Sequence, residues 1–109
     1  MQIKIQSQNL SLSSEQKEFI ETKVQKLVHL TDRLSDDSSE VKVNFDFGHS
    51  HNPEEAYKCI INFVVPRDLF HAEAKADSLD SALEAAIHKV RPQIEQYKDK
   101  MHHISDRQK

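Results

Sequence analysis

The side chains that could act as nucleophiles are few and poorly placed for catalysis. Cys59 is the only cysteine in the 109-residue chain and falls on the apolar face of a predicted strand, where a thiol packs as a small hydrophobe. No serine or cysteine has a histidine and an acid at a spacing that predicts an activated group. Carboxylates are abundant only in one acidic loop, where mobility would undo acid–base geometry. We therefore predict that the protein is not an enzyme.

Two histidines are candidate metal ligands. His49 and His51 lie two residues apart in a predicted turn, with Glu54 close by. A closed zinc site needs about four ligands, so this pair is too small to predict one. Gly48 is the only glycine, which excludes a glycine-rich phosphate loop and with it the P-loop and Rossmann classes. We predict no metal and no cofactor.

Cations are segregated on the first predicted helix. On a wheel of about 100° per residue, Lys23, Lys26 and Arg33 share one flank. The acids share the other flank: Glu18, Glu21 and Asp32. Phosphate recognition requires only reachable cationic donors along a ridge, so this flank is a candidate anion-binding surface. A solvated amphipathic helix with ordinary charge pairs explains the same pattern.

The last predicted helix also carries cations, on two flanks. Lys89 and Lys100 share an acid-free flank with Gln93 and Gln96, which makes them the stronger candidates. Arg91 and Lys98 lie on the opposite flank, which also holds two acids, Glu84 and Glu95. Compensation of the helix dipole is the alternative explanation for bases near a helix end. We expect the Lys89–Lys100 flank and the first-helix ridge, formed by Lys23, Lys26 and Arg33, to converge into one continuous cationic surface.

The whole-chain charge of −3 hides an uneven distribution. Residues 32–58 contain seven acids and three bases, whereas residues 88–109 contain six bases and three acids. Nucleic-acid binding depends on such local patches rather than on the average. No apolar run approaches the roughly 20 residues of a membrane span, and the N-terminus has no signal-peptide pattern. With one cysteine and no internal disulfide, the cytoplasm is the expected location.

The apolar periodicity predicts four strands and two helices. Strands are expected near residues 2–7, 41–47, 57–65 and 70–76, because their apolar residues alternate. Ser13 and Gln16 form a capping box before a helix that runs to about Arg33. Asp77 is the expected cap of a last helix that runs to about His102, through an interior Pro92 that should kink it.

The order β-α-β-β-β-α predicts an α+β two-layer sandwich, in which two helices cover one face of a four-stranded sheet. We expect residues 1–102 to form a single domain and residues 103–109 to form a short flexible tail.

Several short segments, taken in order, form a joint pattern. In the N-terminal half they are MQIKI at residues 1–5, EFI at 18–20, Lys23, KL at 26–27 and DR at 32–33. In the C-terminal half they are HAEA at 71–74, AL at 82–83, Lys89 and KDK at 98–100. Together these segments resemble the ribosome hibernation promoting factor family, which includes the ribosome-associated inhibitor proteins and was once classed as sigma-factor modulation proteins. The chain resembles the short members, which lack the second domain of the long ones.

The resemblance implies a fold like a double-stranded RNA-binding domain and docking on small-subunit rRNA in the decoding channel. It implies inhibition of translation in stressed or starved bacteria. With the charge patterns, it predicts rRNA contacts at seven cations: Lys23, Lys26, Arg33, Lys89, Arg91, Lys98 and Lys100. The expected partner is the ribosome, with no membrane, no small-molecule substrate, and a monomer off the ribosome.

Two other functions fit the same fold. The first is a protein-interaction module that docks through the acidic 36–55 region. The second is a small metal-responsive protein that uses the histidines. Salt-dependent association with ribosomes separates both from the leading hypothesis, since only RNA binding requires it.

Overall fold

The computed structural model describes residues 2–30, 39–48, 52–65 and 68–107, and the side chains as far as residue 100. The elements follow the predicted order: β1 (Gln2–Gln8), α1 (Ser14–His29), β2 (Glu40–Phe47), β3 (Tyr57–Val65), β4 (Asp68–Ala76) and α2 (Leu79–Arg107). A 3-10 turn, Pro53–Glu55, precedes β3. The predicted β-α-β-β-β-α order is thus confirmed.

The four strands form one mixed sheet in the order β1-β2-β3-β4. The β1–β2 pair is parallel, and the other two pairs are antiparallel. Alternate residues of each strand face the two helices and form one core with them, around Phe45, Phe63 and Phe70. The opposite face of the sheet stays open. This arrangement confirms the α+β two-layer sandwich with both helices on one face.

The first helix begins as predicted but ends earlier. The Ser13 hydroxyl accepts a hydrogen bond from the Gln16 N–H at 3.1 Å, and the Gln16 side chain accepts one from the Ser13 N–H at 2.9 Å. These two bonds complete the capping box. The helix ends at His29, where the Leu30 N–H bonds back to the Leu27 carbonyl and tightens the last turn. The predicted end near Arg33 was therefore too late for the regular helix.

The last helix differs from the prediction at both ends. Its cap is Ser78 rather than Asp77, because the Ser78 hydroxyl accepts from the Ser81 N–H at 3.1 Å. It continues through Pro92 to Arg107, beyond the predicted end at His102. Pro92 is exposed, so the backbone carbonyl that loses its helical partner can bond to water.

Neither described helix combines the length with the apolar character that crossing a membrane requires. Among the described residues, no three His, Cys, Asp or Glu side chains gather into a potential metal site. His49 and His51 lie outside the described residues, and the metal-responsive hypothesis that uses them is untested.

Candidate nucleic-acid interface

The two helices leave a cleft between them on the outer side of the helix layer. It has a volume of about 230 Å³. Its floor is apolar, formed by Leu27, Leu30 and Ile87. Its walls are charged or titratable: Lys23, Lys26, Glu84, His88 and Arg91. The cleft therefore carries three permanent cations against one acid.

The three cations of the cleft are not equivalent. The Lys23 ammonium lies 3.4 Å from a Glu84 carboxylate oxygen and 5.6 Å from the centre of the Phe19 ring. Lys26 and Arg91 are exposed, and neither has an ion pair within the described part of the chain. They are thus the two cleft cations whose charge is left for an outside anion.

Lys89, one of the stronger candidates from the sequence, is engaged elsewhere. Its ammonium donates a hydrogen bond to the backbone carbonyl of Glu73 at 2.8 Å, on the outer edge of β4. One turn along, the Gln93 amide donates to the His71 carbonyl at 2.8 Å and accepts from the His71 N–H at 3.0 Å. These side chains replace the missing neighbouring strand, since an edge strand otherwise exposes unpaired backbone groups.

Lys100 lies on the same side of α2 as Lys89. It lines a depression of about 510 Å³ beside β4, together with Leu69, Gln93 and Gln96. The expected convergence of the Lys89–Lys100 flank with the first-helix ridge is therefore wrong. Positions 89 and 91 are separated by about 200° around a helix, so only one of them can face α1.

Arg91 is the α2 cation that lines the cleft together with Lys23 and Lys26 of α1. Lys98 is seven residues further along and shares this flank by helical periodicity; it is exposed, and no described contact engages it. The heptad spacing of Glu84, Arg91 and Lys98 was visible in the sequence. Which flank of α2 would face α1 was not, because it depends on how α2 is rotated on the sheet. Arg33 lies outside the described residues.

Within the part of the chain that the structure describes, three titratable groups have pKa values that depart from the ordinary ones. Burial raises the pKa of the Cys59 thiol to about 12, which keeps it protonated and unreactive. A hydrogen bond from Lys4 lowers the pKa of Glu40, and a hydrogen bond from Lys58 lowers the pKa of Glu73. Both acids lie on the open sheet face, away from the cleft. None of the three groups has the surroundings of a catalytic acid, base or nucleophile.

The fold and the cleft together define a small α+β domain with a cationic groove between its helices. A family model described as sigma 54 modulation protein / S30EA ribosomal protein matches residues 3–102. The chain belongs to this family, which confirms the resemblance to the ribosome hibernation promoting factors. No curated protein sequence matches the chain significantly.

Two solved structures share the fold. A ribosomal subunit interface protein from Coxiella burnetii has a TM-score of 0.66 and 20% identity, covering 91% of this chain and 99% of the other. The N-terminal domain of Protein Y from Thermus thermophilus has a TM-score of 0.68 and 22% identity, covering 89% and 99%. At these identities the likeness concerns the fold.

Proposed function

We propose that this protein is a ribosome-associated translation inhibitor that binds small-subunit rRNA near the decoding channel and keeps ribosomes inactive under stress. The family is one of ribosomal and ribosome-associated factors, and one solved neighbour is named for the ribosomal subunit interface. The observation that carries the proposal is the cationic cleft, which persists in a chain whose net charge is −3. The mechanism is steric: the bound domain fills space that messenger and transfer RNA need.

The cleft is the surface that we assign to rRNA. Lys26 and Arg91 supply unpaired charge from two different helices, so one RNA backbone segment that crosses the cleft contacts both. Lys23 lies 3.4 Å from Glu84 in the same cleft, a partly exposed pair worth only about 0–1 kcal/mol. An incoming phosphate can therefore displace Glu84 at small cost. Lys98 extends the same flank of α2, and Lys89 and Lys100 remain predicted contacts on its other side.

Charge reversal at the two unpaired cleft cations tests the proposal. We expect Lys26→Glu combined with Arg91→Glu to abolish detectable ribosome binding at physiological salt, since each lost phosphate contact also lowers the log–log salt slope by about 0.7–0.9. The measurement is co-sedimentation with purified bacterial ribosomes and with separated subunits at several KCl concentrations. Both residues are exposed, so the fold should survive the change.

Lys17→Glu is the matched control, because Lys17 is exposed and faces away from the cleft on α1. Lys89 is unsuitable for the reversal, since its bond to the β4 edge would mix a structural effect with a binding effect. Binding by the double variant that equals binding by the control would remove the cleft as the rRNA site.

A further inference from the structure

The open face of the sheet carries two pairs of lysines in direct opposition. Lys4 lies opposite Lys42 on the parallel β1–β2 pair, and Lys58 lies opposite Lys75 on the antiparallel β3–β4 pair. Directly opposed residues on one face have Cβ atoms about 4.5–5.5 Å apart. Like charges in that arrangement destabilise a sheet, so the arrangement requires a reason other than stability.

Acids lie beside both lysine pairs on this face: Glu40 beside the first, and Glu73 and Asp46 beside the second, where Asp46 lies directly opposite Lys58. Glu40 bonds Lys4 at 2.9 Å, and Glu73 bonds Lys58 at 3.0 Å. Lys42 and Lys75 are exposed and act on these acids only through the electrostatic field, with no described ion pair of their own. The cluster Lys4–Lys42–Glu40 therefore keeps one net positive charge. The second cluster, Lys58–Lys75–Glu73 with Asp46 opposite Lys58, is neutral overall, and Lys75 is its cation without a described ion pair.

The two clusters lie on a diagonal of the sheet face. Lys42 and Lys75 are separated by two strand spacings and by four residues along the strands, which corresponds to about 16 Å between Cα atoms. Between them lie the amide side chains of Asn44 and Asn62, together with Ile60 and Glu73. A strand of nucleic acid a few nucleotides long can reach both clusters and bond to the amides.

We propose that the open sheet face is a second RNA-binding surface, which takes a phosphodiester backbone at Lys42 and Lys75. The inference rests on the proposed function and extends it: the domain contacts rRNA on opposite sides, with the cleft on one segment and the sheet on another. Such a domain acts as a wedge between two RNA elements. Contact on both sides holds it rigidly and explains how so small a protein blocks a channel.

RNA fits this face better than a protein partner does. A protein interface is built around a buried apolar centre, but the exposed apolar residues, Val64 and Leu69, lie together at one corner. At the centre of the face Ile60 lies between Asn44 and Glu73, and the lysines without a described ion pair, Lys42 and Lys75, supply the cationic charge. Phosphate contacts require hydrogen-bond donors rather than a pocket, and this flat surface supplies such donors.

Charge reversal on this face should weaken ribosome binding without lowering the stability of the fold. Lys42→Glu and Lys75→Glu each replace a repulsive pair with an attractive one, so the urea midpoint of unfolding should stay level or rise. Ribosome binding should nevertheless weaken, by at least about tenfold for the double variant, and its log–log salt slope should fall by about 1.4–1.8. Lys17→Glu is again the control, matched in net charge to each single variant.

A site-directed photo-crosslink identifies the partner. A cysteine introduced as Lys75→Cys can carry the crosslinker, because the buried native Cys59 stays unlabelled. Crosslinks to rRNA in the ribosome complex support the proposal. Crosslinks to ribosomal proteins alone, or a Lys42→Glu/Lys75→Glu variant that binds as tightly as the Lys17→Glu control, overturn it.

The cleft variants separate this inference from the proposed function. If Lys26→Glu with Arg91→Glu abolishes binding and the sheet-face variants do not, the sheet proposal fails and the cleft proposal stands. If only the sheet-face variants weaken binding, the sheet is the RNA surface and the cleft assignment fails. If neither set changes ribosome binding, both proposals fail.

Discussion

At the residue scale, burial decides the chemistry of Cys59. The thiol has no accessible surface, and its pKa is raised to about 12. Since the thiolate is the reactive form, we expect labelling by a thiol reagent at pH 8 to be at least about a hundredfold slower in the folded protein than in urea. Stopped-flow absorbance with an aromatic disulfide reagent measures both rates. Comparable rates in the two states would mean that β3 opens readily.

Two ion-paired glutamates of the sheet face, Glu40 and Glu73, make the free energy of unfolding depend on pH in the acidic range. Hydrogen bonding to Lys58 lowers the pKa of Glu73, so its contribution is present above the unfolded pKa of about 4.3 and is lost as the pH falls through the lower folded value. We expect Glu73→Gln to flatten the decline of the free energy of unfolding below about pH 5. Urea titrations between pH 3 and 7 test this.

Glu21→Gln is the matched control for that experiment. Glu21 is an exposed glutamate on α1 with no described ion pair. A flattening equal to that of Glu73→Gln would show that general charge, and not the Lys58 bond, sets the acid response.

At the element scale, the edge of β4 depends on α2. Gln93 makes two hydrogen bonds to the backbone of His71, and Lys89 makes one to Glu73. Gln93→Leu keeps the size of the side chain but leaves both His71 groups unpaired. Because water can reach the exposed His71 groups, we expect a loss of about 1 kcal/mol, measured by urea unfolding, and concentration-dependent light scattering from edge-to-edge association.

Gln96→Leu is the control for Gln93→Leu. Gln96 lies on the same side of α2 and is exposed, and no described hydrogen bond ties it to β4. If Gln96→Leu scatters light as strongly as Gln93→Leu, added apolar surface, rather than the opened edge, is the cause.

At the scale of the whole molecule, the acids of the turn before β3 lie outside the cleft. Glu54 and Glu55 are exposed on the 3-10 turn before β3. This turn contributes no residue to the lining of the cleft. We expect Glu54→Gln with Glu55→Gln to leave ribosome binding unchanged or slightly tighter, because acids facing phosphates are repelled. A marked loss in the co-sedimentation assay would favour a protein partner at the acidic 36–55 region. Asp36 and Asp37 belong to that region but lie outside the described residues.

The family and the order of the elements could be predicted from the sequence because they depend on local patterns. Alternation of apolar residues marks each strand, and the capping box at Ser13 and Gln16 marks a helix start. These signals come from neighbours in the chain, and their period is set by the geometry of the element itself. The core stripe of α2 resumes in phase after Pro92, and the helix indeed continues through it.

The arrangement of the cations could not be predicted, because it depends on how the elements pack. The rotation of α2 about its own axis decides that Arg91 faces α1 while Lys89 reaches the β4 edge. The packing of the whole core sets that rotation. The register of the sheet likewise brings Lys42 opposite Lys4 from 38 positions away. The sequence by itself determined which residues are charged and which elements carry them. Only the tertiary structure decided which charges meet, because that depends on contacts between residues far apart in the chain.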